Sequence, residues 1–288
     1  MSIAGEGRQI LACVDGSIYA QSVVAHAGWA ARRLAAPVEL LQVLGRREAV
    51  AEDRSGSIVA GARRRLLEQL ATLDAERAKL LMQQARLDLD EASDTLSAAG
   101  VAQVDITLRH GDLLETIVER EPKARMTVIG KRGEAADFAK LHLGSNLERI
   151  VRAASRPVLI AARAFKPIET FLIAFDGRQS SMKAVEEVCG SELCAGLKGT
   201  LIHVGEPNVE TQARIATAEA QLRAAGHAVE TRLVAGLPEK AIPEAVSDLG
   251  VDLLVMGAYG HSRLRSLVIG STTSEMIREA RVPILVVR

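Results

Sequence analysis

The residues with the clearest chemical potential lie near the C-terminus, in "MGAYGHSRLRSLVIGST", Met256 to Thr272. Gly257, Gly260 and Gly270 are followed by two adjacent hydroxyls, Ser271 and Thr272. Glycines let a backbone turn sharply and approach a ligand with no Cβ in the way. The first turn of a following helix offers unpaired N–H groups and the positive end of its dipole to an anion. A di- or triphosphate is the natural ligand for such a loop. The run lacks the Gly-Lys-Ser/Thr ending of a Walker loop. A second reading stands beside this one. Thr272 and Glu275 sit at capping-box spacing, so the hydroxyls can serve the helix alone, and the glycines can merely shape a turn.

Other reactive residues do not assemble into a catalytic pattern. His26, His110, His142, His203, His227 and His261 show no metal-ligand spacing, and no nucleophile–base pair can be placed together. His110, His203 and His261 fall near the presumed ligand edge, although packed or solvated histidines are the commoner case. Cys13, Cys189 and Cys194 are few and odd in number, which suits a reducing compartment. Cys189 and Cys194 read as apolar fillers in preference to a redox pair. The expectation is a binding protein with no dedicated catalytic base.

What positions the glycine run is a repeat. "QILACVDGS" at 9–17 parallels "FLIAFDGRQ" at 171–179, and "VELLQVLG" at 38–45 parallels "GTLIHVGE" at 199–206. "SAAGVAQVDITLRHGD" at 97–112 parallels "RAAGHAVETRLVAGLP" at 223–238. "MTVIGKRG" at 126–133 matches "LLVMGAYG" at 253–260, and "LGSNLERIVRAASRPVLI" at 143–160 matches "IGSTTSEMIREARVPILV" at 269–286. Five blocks in one order indicate two tandem domains, residues 1–164 and 165–288. Pro167 marks the junction.

In each copy, short continuous apolar runs alternate with amphipathic stretches, the signature of a parallel sheet covered on both faces. In the second copy the strands are expected near 171–176, 200–205, 229–234, 252–257 and 283–287. Each copy is therefore expected to be an open α/β domain whose ligand lies outside the carboxyl ends of its strands, where strand order reverses. Asp176 and Gly257 share that edge.

Bulk properties narrow the function classes. The 288 residues carry 36 Lys and Arg against 36 Asp and Glu, so there is no basic footprint for nucleic acid. No apolar run reaches the roughly 20 residues of a membrane helix, and the N-terminus does not read as a secretory signal. A cytoplasmic location is expected.

Gly257, two residues, Gly260, nine residues, Gly270 and then Ser271 resembles the nucleotide signature of the universal stress protein family. "AFDGRQSSMKAVEEV" is similar to that family's first strand and helix, and "REARVPILVV" to its last. The resemblance recurs once per repeat. It implies tandem Rossmann-like domains of the adenine nucleotide alpha hydrolase-like type, each an open five-stranded parallel sheet with helices on both faces. It implies ATP as ligand, with Mg2+ as a companion ion, and a role in stress response or signalling. By the resemblance, Asp176 and Val204 contact the adenosine part, while Met256, Gly257, Gly260, Gly270, Ser271 and Thr272 contact ribose and phosphates. It leaves room for slow ATP hydrolysis or self-phosphorylation, and for a protein partner. It also implies that the two copies form an internal pseudo-dimer through strands near 157–161 and 283–287, with a homodimer as a further step.

The first copy departs from the pattern. Asp15, Val43, Ile129, Gly130, Gly133, Ser145 and Asn146 are in place, but ten residues separate Gly133 from Gly144 instead of nine. One extra loop residue can be absorbed, or it can displace the loop from the phosphates. The first copy also carries an insertion at about 46–81, so that Val43 to Gly100 spans 57 positions against 22 from Val204 to Gly226. Leu66, Leu73, Leu80 and Leu87 recur at seven-residue spacing, interrupted by the polar Arg77, Gln84 and Glu91. As one helix, 58–99 would run about 60 Å and either protrude or fold back. The favoured expectation is an amphipathic helix lying along the other domain, with an intermolecular coiled coil as the alternative. The rival to nucleotide binding is a scaffold of the same fold acting through this insertion.

Overall fold

The computed structural model describes residues 9–45, 60–131, 145–258 and 271–288, with side chains from 66, 146 and 272 onward in the helices that begin at 60, 145 and 271. The first half runs β1 (Gln9–Cys13), α1 (Ala20–Leu34), β2 (Val38–Gly45), α2 (Ala60–Ala98), β3 (Val104–Gly111), α3 (Leu113–Arg120), β4 (Ala124–Gly130), α4 (Ser145–Ala153) and β5 (Val158–Ala161). The second half repeats it as β6 (Thr170–Ala174), α5 (Gln179–Gly190), β7 (Lys198–Val204), α6 (Val209–Ala224), β8 (Val229–Val234), α7 (Pro238–Asp248), β9 (Leu253–Gly257), α8 (Ser271–Glu279) and β10 (Ile284–Val287).

The ten strands of the described residues join one sheet in the order β3-β2-β1-β4-β5-β10-β9-β6-β7-β8. Nine strand-to-strand ladders build it. Eight are parallel, and β5 with β10 is antiparallel, pairing Ile160 with Ile284 and Val158 with Val286 about Leu159 and Leu285. The two halves thus meet edge to edge at their last strands, as tandem Rossmann-like units related by a local two-fold. The strands read as apolar runs because both faces are covered. Along β1, Ile10 and Ala12 enter one core with α1, α2, α5 and α6, while Leu11 and Cys13 enter the other with α3, α4, α7 and α8. Alternation on a pleated strand, with period two, produces this division.

Two cross-connections brace the seam. The Lys131 ammonium, just after β4, donates to the Ala280 carbonyl at the end of α8, and the Arg288 guanidinium donates to the Arg152 carbonyl at the end of α4. Each half thereby places a cation at the negative end of a helix in the other. At the junction, Ser22 Oγ donates to the Ala162 carbonyl (2.7 Å), and His26, fully buried, stacks edge-on against Phe165 at 5.0 Å.

The insertion differs from expectation. Helix α2 is one uninterrupted helix of 39 residues, about 58 Å at the standard rise. Only its last turns pack, through Ala85, Leu89, Ala92 and Leu96, and they pack on the sheet and α1 of their own half. At Gly28 of α1 an added Cβ would lie 3.1 Å from Leu96, so this glycine admits the helix. Residues 66–84 are exposed apart from the partly covered Met82. The helix does not lie along the second half; it projects, because its apolar positions split between two faces. Residues 46–59 fall outside the described residues. Among those described, no helix is long and apolar enough to cross a membrane.

Candidate functional site

The chain enters the second half through β6, moves outward to β7 and β8, then returns to β9 on the other side of β6. Strand order thus reverses beside β6, and a crevice opens at the carboxyl ends of β6 and β9. It is lined by Asp176 and Phe175 after β6, Ile202 and Val204 on β7, Met256 and Gly257 on β9, Pro238 and Ile242 on α7, and Thr272 and Thr273 on α8. Of the residues expected there, Asp176, Val204, Met256, Gly257 and Thr272 come together. Ser271 is the first residue of α8, and Gly260 and Gly270 lie outside the described residues.

Strand β6 stops at Ala174, so Asp176 stands two residues beyond the strand rather than at its end. The reason is a turn built on its own carboxylate. Asp176 Oδ1 accepts from the Arg178 N–H (2.9 Å) and from Ser181 Oγ (2.7 Å), and Gly177 takes the positive φ of 75° that the turn requires. The second oxygen faces the Arg178 Nε at 3.9 Å, with the side chain about one-third exposed. Asp15 makes the equivalent turn in the first half, accepting from the Ser17 N–H at 3.1 Å.

Gly257 has a packing duty. A Cβ there would sit 2.6–2.7 Å from the carbonyl carbon, Cβ and Oγ of Ser180, so the glycine lets the start of α5 rest on β9. Thr273, almost fully buried, donates from Oγ1 to the Gly257 carbonyl at 3.3 Å and ties α8 to the same strand. The described walls form a recess of about 80 Å³ that opens to solvent. They form an apolar floor of Ile202, Val204 and Ile242 with Asp176 on one rim and the start of α8 on the other. Such a recess can take the flat apolar part of a ligand, a hydrogen-bond donor at Asp176, and negative charge at the helix start.

Sequence reasoning missed Ser180, Ser181 and Thr273. Ser181 sits five residues after Asp176, in the first turn of α5. Thr273 is the third hydroxyl of the run Ser271-Thr272-Thr273. Local spacing alone carries both signals.

In the first half, Asp15 follows β1, Val43 lies near the end of β2, Ile129 and Gly130 end β4, Ser145 opens α4, and the exposed Asn146 follows it. These fall at the matching carboxyl edge. Asn146 Oδ1 accepts from Arg149 Nη1 at 3.4 Å. Gly133 and Gly144 lie outside the described residues.

The buried histidines His26, His203 and His227 and the three cysteines pack within the fold. His203 is buried and its Nδ1 lies 2.9 Å from the Phe175 carbonyl, on the sheet face opposite Val204. His110 is exposed on β3, and His142 and His261 lie outside the described residues. All three cysteines are free thiols. Burial pushes Cys194 up to about 12 and raises Cys13 and Cys189, which leaves them protonated and poorly nucleophilic. No group of three or more His, Cys, Asp or Glu able to hold a metal ion exists among the described residues.

Comparison with known proteins agrees with this architecture. The model of the universal stress protein family matches residues 7–162 and 200–288. The universal stress protein Slr1230 of Synechocystis is 40% identical over 286 residues, covering 98% of this chain and all of the relative. A universal stress protein of Mycolicibacterium smegmatis is 24% identical over 302 residues, covering 97% of this chain and 96% of the relative. The crystal structure of a universal stress protein from Archaeoglobus fulgidus superimposes with a TM-score of 0.74 at 21% identity, over 98% of this chain and 99% of that one. A tandem α/β pair with one shared sheet, matched over nearly its full length, belongs to the universal stress protein family.

Proposed function

We propose that the crevice of the second half binds an adenine nucleotide, with ATP as the preferred ligand, and that occupancy changes a surface read by a partner during stress response. The observation that carries this reading is the convergence of Asp176, Val204 and Met256 with the N-terminus of α8 at one switch point. Val204, Ile202 and Ile242 offer an apolar bed for a base. The Asp176 oxygen that does not organise the turn accepts from a ribose hydroxyl or an exocyclic amine. Phosphates lie toward the first N–H groups of α8, the helix that Ser271 and Thr272 open. This donor set fits a nucleotide. Mg2+ would arrive with the phosphates, since the described side chains offer no metal cluster of their own. The first half carries the same edge residues with a longer loop, and we assign it the weaker site.

The test is direct. Purified protein is denatured and the released nucleotide identified, and ATP is titrated calorimetrically into wild type, Val204→Trp and Gly270→Val. The expected result is one strong site in the wild type and at least a tenfold loss in each variant, with circular dichroism unchanged. A wild type that releases no nucleotide and gives no ATP heat would overturn the reading.

A further inference from the structure

We propose that α2 is a dimerisation arm, which pairs in antiparallel fashion with α2 of a second copy of this chain. The helix carries two apolar stripes. One, Ala85, Leu89, Ala92 and Leu96, is buried in the body. The other, Leu66, Leu70, Leu73, Leu80 and Leu87, recurs at spacings of four, three, seven and seven and faces solvent. At 100° per residue the second stripe sits on average about 125° round from the first, with Leu87 and Leu80 the most nearly opposite. Leu87 shows this directly: it is 69% exposed, although Ala85 and Leu89, two residues either side, are at 2% and 0%. Leu73 and Leu80 are 61% and 65% exposed. The leucine seam is therefore not a frayed continuation of the core face. It spans three heptads with leucine at every d position, the pattern of a two-stranded coiled coil. Residues 66–84 form a stalk about 28 Å long with almost no tertiary packing. Helices owe most of their stability to a packed apolar face, and this stalk lacks one within the chain.

Charge selects both the occupant and its direction. A parallel second copy sets Arg77 against Arg77 and Glu91 against Glu91 at a positions of the seam. An antiparallel copy in the register Leu70–Leu87, Leu73–Gln84 and Arg77–Leu80 removes every one of these clashes. It also runs the acidic end of one helix, Asp90, Glu91 and Asp94, alongside the end of the other where the sequence is basic. Shifting that register by one heptad sets Glu76 on Glu76 and Asp74 on Asp74, so like-charge repulsion selects against it.

The test uses the full chain without added nucleotide, which keeps it independent of the ligand reading. Sedimentation equilibrium from 1 to 100 µM is expected to give a dimer for the wild type and a monomer for Leu73→Glu/Leu80→Glu, with unchanged circular dichroism because both positions face solvent. Oxidising a mixture of Leu70→Cys and Leu87→Cys chains is expected to give a disulfide-linked heterodimer, with little linkage in either variant alone. A wild type that stays monomeric at 100 µM overturns the proposal and makes a different protein the occupant. A dimer that survives the double substitution overturns it by placing the interface elsewhere. Efficient self-linkage of Leu70→Cys overturns the antiparallel direction.

Discussion

Gly257 and Asp176 each hold two duties in one residue. Gly257 ends β9 at the mouth of the crevice and also makes room for Ser180 at 2.6–2.7 Å. Gly257→Ala therefore has a stability cost that is separate from any ligand. A methyl forced into a packed contact costs about 1–3 kcal/mol. Urea unfolding of the ligand-free protein is expected to show that loss, and unchanged stability would mean that α5 shifts freely on the sheet. Asp176 spends Oδ1 on its own turn, while Oδ2 faces the Arg178 Nε at 3.9 Å. Spacing identified both residues, because an Asp-Gly after an apolar run and a glycine at a strand end are local features. Their packing duties were not legible, since Ser180 approaches Gly257 from 77 positions away in sequence. The same limit hid Thr273, whose hydroxyl meets the Gly257 carbonyl across the crevice.

At the scale of elements, the strands lie within a residue or two of expectation, because continuous Val, Ile and Leu runs bounded by glycine leave few alternatives. Helix α2 is where sequence reasoning divides. Its length followed from the absence of proline and glycine between 62 and 99. Its placement did not, since two apolar stripes on one helix give no clue to which one meets the body. Helix α3 carries a prediction of its own. Asp112 is its N-cap, accepting from the Glu115 N–H at 3.0 Å, and Arg149 of α4 lies 3.2 Å from the other oxygen. The backbone hydrogen bond and Arg149 hold the Asp112 carboxyl below its ordinary value. The folded state thus favours the charged form. Its contribution is complete above the unfolded carboxylate pKa, about 3.9, and fades as pH falls through the lower folded value. Asp112→Ala is expected to cost about 1 kcal/mol at pH 7, measured by denaturant unfolding, with the gap closing in strong acid.

At the scale of the whole molecule, the junction between the halves contains a buried imidazole. His26 is fully buried, its Nδ1 donates to the Ser22 carbonyl at 2.7 Å, and its Nε2 has no partner. Burial lowers its pKa, outweighing the Ser22 bond that raises it. The neutral form is favoured in the fold, so its contribution is intact above the unfolded pKa of about 6.5. Stability falls as pH drops from there toward the folded value. Thermal melts are expected to lose stability between pH 6.5 and 5 in the wild type and to flatten over that window in His26→Leu. An unchanged slope in the variant would place the acid sensitivity elsewhere.

The antiparallel ladder between β5 and β10 joins two halves that one chain already tethers. Pairing within a chain proceeds at an effective concentration on the millimolar scale for short linkers, whatever the amount of protein present. The two-fold contact therefore does not dissociate on dilution, and it persists at the lowest expression level a cell maintains. It also frees each half from self-complementarity. In an association of identical chains, every substitution at the contact appears on both sides at once. Here Lys131 and Arg288, which reach across in opposite directions, are different residues under separate selection. One half can lengthen its glycine loop or grow a projecting helix while the other stays as it was.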